Sequence, residues 1–319
     1  MLRRITLFSI LMLIFIALQP VQAQSGRQIW ALYMGFWFGE GSWNAQSDVL
    51  IDRPALGNYD SRNGGVAGTH IDQAKGAGID AFLVTWYGAQ EGGTTAVLNT
   101  MLDQAAARGF SVGAALDVFD ADFNRRRDLM VESLRYIVND RANHPAYLRY
   151  NGKPVIFFAF QERTGFSDAV WQAIRNEVDP NRTTYWIAEG LSGCCIHGGA
   201  MDGMYAFNLA WADGSSARYS GEATATRNAG GSLYIPTIHP GWNEDAIAAR
   251  DGRTNPTAAR DRAGGNFLAN SFAGAAASGA NVMLVVSWNE FIENSHIEPS
   301  TTYGTQSLDT LRPLANQWK

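Results

Sequence analysis

The chain has 319 residues, with 25 Lys and Arg against 30 Asp and Glu and a formal net charge of −5. Mild acidity with scattered charge lacks the basic footprint of a nucleic-acid-binding protein; the one basic run, Arg125-Arg126-Arg127, opens a predicted helix and reads as a solvated face. The aromatic content is high, with 10 Trp, 11 Tyr and 16 Phe, many of them beside Gly, Asn or Asp at the ends of apolar runs.

In chain order, the first 23 residues read as a signal peptide. Arg3 and Arg4 precede the apolar run Ile5 to Leu18, Pro20 follows it, and Val21-Gln22-Ala23 is a small-x-small cleavage site. Export to the periplasm or medium is expected, with cleavage after Ala23 and no membrane attachment afterwards. Residues 24–319 form one domain in this reading, since neither linker, low-complexity stretch nor composition shift divides them.

Eight β-rich runs follow: Trp30 to Trp37, Ala81 to Trp86, Ser111 to Phe119, Val155 to Phe160, Tyr185 to Glu189, Gly203 to Leu209, Leu233 to His239 and Val282 to Trp288. Helical spacing of apolar residues recurs between them, over Thr69 to Ala77, Ala96 to Ala107, Leu129 to Val138, Ala169 to Val178, Ala259 to Ala277 and Leu308 to Trp318. Alternation of this kind predicts parallel strands with helical crossovers. Eight units in a chain of this length fit a closed (β/α)8 barrel of the TIM type. An open dinucleotide-binding sheet would carry G-x-G-x-x-G after its first strand, whereas that strand ends Gly35-Phe-Trp-Phe-Gly39.

A barrel of this kind works at the C-terminal ends of its strands. There the runs deliver Trp37, then Asp60 in a loop; Trp86 and Tyr87; Asp117 and Asp120; Glu189; Asn208 and Trp211; His239 and Trp242; and Trp288, Asn289, Glu290 and Glu293. A ring of Trp, Tyr, Asp, Glu and Asn suits a carbohydrate, because flat aromatic faces pack on sugar C–H faces. The last terminus carries the sharpest signal. The apolar strand Val282 to Val286 stops at Ser287-Trp-Asn-Glu290, and Glu293 follows three residues on. Two carboxylates held close cannot both ionise easily, so one pKa rises. That supplies the acid and the base that glycoside cleavage requires. Trp37, Asp60, Trp86, Tyr87, Asp117, Asn208, His239, Trp288 and Asn289 are the expected substrate contacts, with Glu290 and Glu293 catalytic. His70 reads as packing, and Glu298 as a loop brace or a sugar contact.

No cofactor or metal is implied. Asp120, Asp122 and Asn124 imitate the start of a calcium loop, but Arg125 stands where Gly is needed and Val131 where Glu is needed. The only cysteines, Cys194 and Cys195, are adjacent. A bridge between them would span a Cα separation of about 3.8 Å, below the usual disulfide range, and His197 is the only other ligand type nearby.

Three segments carry a resemblance to a known family. They are Asn58-Tyr-Asp-Ser-Arg62 with His70 to Gly88; Asn151-Gly-Lys-Pro-Val-Ile-Phe157; and Ser287-Trp-Asn-Glu-Phe-Ile-Glu-Asn-Ser-His-Ile-Glu-Pro299. Together they resemble glycoside hydrolase family 99, the endo-α-mannosidase family, and its bacterial family 99-like relatives; the family 71 α-1,3-glucanases are a more distant likeness. The resemblance runs from about Trp30 to the end. It implies a retaining, substrate-assisted hydrolase of α-linked mannose or a related sugar; separately, a monomer that binds carbohydrate is expected. Carried over by position, Glu290 is the base towards the 2-hydroxyl and Glu293 the acid/base. The chain departs from the signature N-E-W-H-E-G-x-x-I-E: Phe291-Ile292 stands where Trp-His is usual, and Asn294 where Gly is usual. The alternatives are a non-catalytic carbohydrate-binding barrel and a polysaccharide-assembly protein.

Overall fold

The computed structural model describes residues 26–319, so the expected signal peptide lies outside the described residues. The strands are β1 (Gln28–Tyr33), β2 (Ala81–Trp86), β3 (Ser111–Leu116), β4 (Arg149–Tyr150), β5 (Lys153–Phe158), β6 (Tyr185–Glu189), β7 (Gly203–Tyr205), β8 (Leu233–Ile235), β9 (Thr237–Ile238) and β10 (Val282–Val285). Nine of them pair in parallel in the order β8-β7-β6-β5-β3-β2-β1-β10-β9, and β4 is a short antiparallel flap on β5.

The ends of that order are two halves of one predicted run. Pro236 separates β8, which pairs with β7, from β9, which pairs with β10. Proline has no N–H to give a ladder, but its carbonyl still accepts from Leu284 N at 2.9 Å. The sheet is thus a nearly closed barrel alternating with helices, as the alternation of runs predicts.

Strand period 2 sorts the core into two layers. Trp30 and Leu32, Ala81 and Leu83, Val155 and Phe157, and Val282 and Leu284 fill the barrel interior. Ile29, Ala31 and Tyr33, Phe82, Val84 and Trp86, and Met283 and Val285 pack outward against the helices. The helices start earlier than apolar spacing suggests, because polar caps set their first turns. Asn63 accepts from Gly65 and Val66 N–H, Glu91 from Gly93 and Thr94, and Asp122 from Arg125. One expected helix needs correction, and another helix was not expected. The helix expected over Ala259 to Ala277 begins only at Asn266, because the residues before it form an irregular link around the buried Arg262. A helix over Ser216–Asn228 escapes the apolar pattern, having only Tyr219 and Thr226 buried. No helix among the described residues is long and apolar enough to cross a membrane.

Candidate active site

Where β10 ends, the chain folds into a tight loop that carries both expected acids. Ser287 N–H donates to Ser295 O at 2.8 Å and Trp288 N–H to Leu32 O at 2.7 Å. Asn289 locks the loop to the end of β1: its Oδ1 accepts from Met34 N–H at 2.6 Å, and its Nδ2 donates to Met34 O and to Tyr59 Oη. Phe291 stacks on His296 with centroids 3.9 Å apart. These contacts leave little freedom at Glu290, whose own N–H donates to Ser287 Oγ at 2.7 Å.

The two carboxyls sit in different surroundings. Glu290 Oε1 accepts from Ile292 N–H at 2.9 Å. Burial pushes its pKa up to about 7, while main-chain N–H groups of Ile292 and Glu293 pull the other way by solvating the anion. Glu293 has no such help. Its Oε2 is buried without a partner among the described residues. Burial raises its pKa well above the ordinary range, and the charges of Glu290, Glu244 and Glu189 add to the rise. The pair therefore divides its protons unequally: Glu290 ionises first and Glu293 holds its proton.

Further acids ring the mouth. Glu189 ends β6, its Oε2 accepting from Phe160 N–H at 2.7 Å, and burial lifts its pKa to about 7. Glu244 is held by Arg253 and Thr257 on the loop whose Asn243 N–H donates to Glu293 O. Beside them lies a hollow of about 350 Å³ lined by Tyr87, Asp117, Phe119 and Arg163. Burial raises Asp117 to about 6 against the pull of Arg163. The Arg163 guanidinium lies over the Phe160 ring at 3.9 Å and makes no side-chain hydrogen bond to the described residues. Tyr87 feels the charge of both Asp117 and Glu290, so the hollow lies within electrostatic reach of Glu290. The hollow thus offers a carboxylate, guanidinium donors and aromatic surface to a polar ligand. Among the described residues no group of three or more metal-ligating side chains converges to hold an ion.

The profile of Glycosyl hydrolase family 99 matches residues 38–317. The chain belongs to glycosyl hydrolase family 99. It is 25% identical over 278 residues to rat glycoprotein endo-alpha-1,2-mannosidase, covering 80% of this chain and 59% of that protein. It is 24% identical over 285 residues to the human glycoprotein endo-alpha-1,2-mannosidase-like protein, covering 83% of this chain and 60% of that one. The chain spans about three fifths of the length of these curated relatives. Its fold superposes on the GH99 endo-alpha-mannosidase of Bacteroides thetaiotaomicron with a TM-score of 0.77 at 22% identity, covering 91% of this chain and 97% of that one.

Within this family 99 barrel, several expected contacts are corrected. Trp37, Trp86 and Trp288 are fully buried and line no cleft. Trp37 stacks on Trp43 at 3.7 Å and donates to Asn289 O, bracing the acid loop from below. Trp86 falls on the outward face of β2, donates to Thr95 Oγ1 and packs on Tyr136. Trp288 points into the same outer layer, against Phe82 and His70. The buried Asn289 acts as a strut, its amide engaged by Met34 and Tyr59. His239 is buried: Nδ1 faces Val286 O, Nε2 accepts from Leu209 N–H, burial lowers its pKa to about 4, and it borders a small cavity of about 70 Å³ together with Asp213 and Ser271. Asn208 is half-buried and engaged with Thr257 and Ala210. Asp60 is gripped through both oxygens by Arg62. Of the expected aromatic contacts, Tyr87 alone reaches the open, and it shares its hollow with Asp117. Glu189, Glu244, Phe119 and Arg163 were not among the expected contacts. Strand period 2 points to the first of these, since Ile187 faces inward and Glu189 is two residues on.

His70 and Glu298 form a buried pair at 3.1 Å, tied to Tyr33 and Tyr59. Cys194 and Cys195, in the loop after β6, are joined as a vicinal disulfide.

Proposed function

We propose that this family 99 barrel is an exported, retaining hydrolase of α-linked mannosides that works by substrate assistance. One observation carries the reading: two carboxyls share the barrel mouth, one stabilised as an anion by main-chain N–H groups and the other left to keep its proton. In the first step Glu290 takes the proton of the sugar's 2-hydroxyl. That oxygen attacks the anomeric carbon, the glycosidic bond breaks, and the leaving oxygen takes the proton of Glu293. In the second step Glu293, now a carboxylate, takes a proton from water. The water oxygen attacks the anomeric carbon, the anhydro ring opens, and O2 recovers its proton from Glu290. Two inversions at one carbon give net retention, and this route departs from the simpler scheme in which a carboxylate is the nucleophile. The hollow at Tyr87, Asp117, Phe119 and Arg163 would hold the sugar next to the scissile bond.

The test compares an α-mannoside with its 2-deoxy analogue. The parent should be cleaved with retention and the analogue should be inert. Rapid cleavage of the analogue would point to a direct carboxylate nucleophile and overturn the roles given to Glu290 and Glu293. Export is proposed from the residues 1–23 pattern, and amino-terminal sequencing of the mature protein should begin at Gln24.

A further inference from the structure

At the rim of the hollow, two phenylalanine rings are partly open to solvent. Phe119 is 60% exposed and Phe123 is 41% exposed, while Tyr87, across the hollow, is 38% exposed. Burying apolar surface is favourable, so large rings left this open are surface that a ligand can cover. They are not on a slack segment. Asp122 caps the helix that begins at Phe123, accepting from Arg125 N–H, and Asp120 accepts from Asp122 N–H and pairs with Arg125 at 2.9 Å. Arg126 ties the rings together: its guanidinium lies 5.7 Å from Phe119, 5.5 Å from Phe123 and 5.8 Å from Phe166, and donates to Asp120 O at 2.7 Å. Phe123 meets Phe166 edge-on at 5.3 Å. The result is a rigid ridge of aromatic surface that continues from the hollow, because Phe119 belongs to both.

We propose that the ridge Phe119–Phe123 is an outer glycan-binding track that makes this protein act on long chains in preference to short ones. The inference rests on the hydrolase reading of Glu290 and Glu293. A sugar chain suits the surface for two reasons. Aromatic rings at exposed, fixed positions match the apolar faces of successive sugar rings at little entropic cost. The surface is also continuous with a hollow whose polar groups, Asp117 and Arg163, suit hydroxyls. A stable protein partner would need about 800 Å² per side, far more than two phenylalanine rings present.

Phe123 is the position to test, since it does not line the hollow. Phe123→Ala should leave kcat/KM unchanged on the shortest oligosaccharide the protein cleaves. On the long polymer of the same linkage it should lower kcat/KM by about tenfold, mostly through KM, as expected for one lost stacking contact. Phe123→Trp should restore the preference for long chains, which a merely structural role for Phe123 would not require. Equal effects on short and long substrates would overturn the track and leave the hydrolase reading intact. A change of oligomeric state in Phe123→Ala without a chain-length effect would assign the ridge to a protein contact and also overturn the track. Failure of the unaltered protein to cleave any α-mannoside would instead remove the reading on which the track depends.

Discussion

Glu290 and Glu293 lie on one loop, three residues apart, yet one is offered N–H groups and the other is not. Under the proposed mechanism, that difference gives each a distinct kinetic signature. Glu290→Gln and Glu293→Gln should each lower turnover by about 10²–10⁴-fold, the usual worth of a positioned proton transfer, with substrate binding nearly intact by calorimetry. A substrate whose leaving group needs no proton should rescue the first step in Glu293→Gln and not in Glu290→Gln. Activity should rise with pH through about 7 as Glu290 ionises and fall at higher pH as Glu293 loses its proton. Glu189 contributes to the raised pKa of Glu293 through its charge. Glu189→Gln should therefore move the alkaline limb of the kcat/KM profile to lower pH, and an unmoved limb would exclude Glu189 from this role. The types of the two acids were legible in the sequence, since carboxylates that end an apolar strand are poor packing residues. Their unequal environments were not, because they depend on which N–H groups the loop happens to turn inward.

At the scale of the element, period 2 decides more than residue type does. Trp86 ends its strand as the sequence indicates, but it shares a face with Phe82 and Val84, and that face meets the helices. Tyr87, one residue on, reaches the hollow. The contrast is measurable. Trp288→Ala should cost about 3–5 kcal/mol of stability, as for other buried aromatic truncations, seen as a lower urea midpoint with KM unchanged. Tyr87→Ala should do the reverse, raising KM several-fold at nearly full stability. Asn289→Ala strands the N–H and C=O of Met34 in a buried site. It should destabilise by about 1–3 kcal/mol and also lower kcat, because the loop that carries both acids loses its anchor to β1.

For the whole molecule, the same burial that tunes the mouth sets a pH dependence of stability. Glu290, Glu189 and Asp117 have pKa values of about 7, 7 and 6, above the ordinary carboxyl range. Between that range and those values the folded state binds more protons than the unfolded one, so these groups cost stability as pH rises towards 7. Glu290→Gln should accordingly raise Tm at pH 8 and leave it unchanged at pH 4, and equal shifts at both would refute the assignment. Asp52 acts in the opposite sense. Burial opposes its ionisation, but hydrogen bonds from His296, Ser300 and Arg53 N–H outweigh that and hold it well below the usual range. Its stabilisation is lost at low pH. The barrel was legible from the sequence because eight β-rich runs separated by helical spacing admit few other arrangements. The placement of the two candidate acids just beyond the last strand was legible as well, from the local pattern. What only the tertiary structure decided was orientation and partnership. It put Trp37, Trp86 and Trp288 into packing, spent Asn289 and His239 on the backbone, split one strand at Pro236, and drew Asp117, Phe119 and Arg163 from two loops into one hollow. A sequence lists the groups that reach a strand end; which face they take, and which neighbour satisfies them first, depends on contacts between residues far apart in the chain.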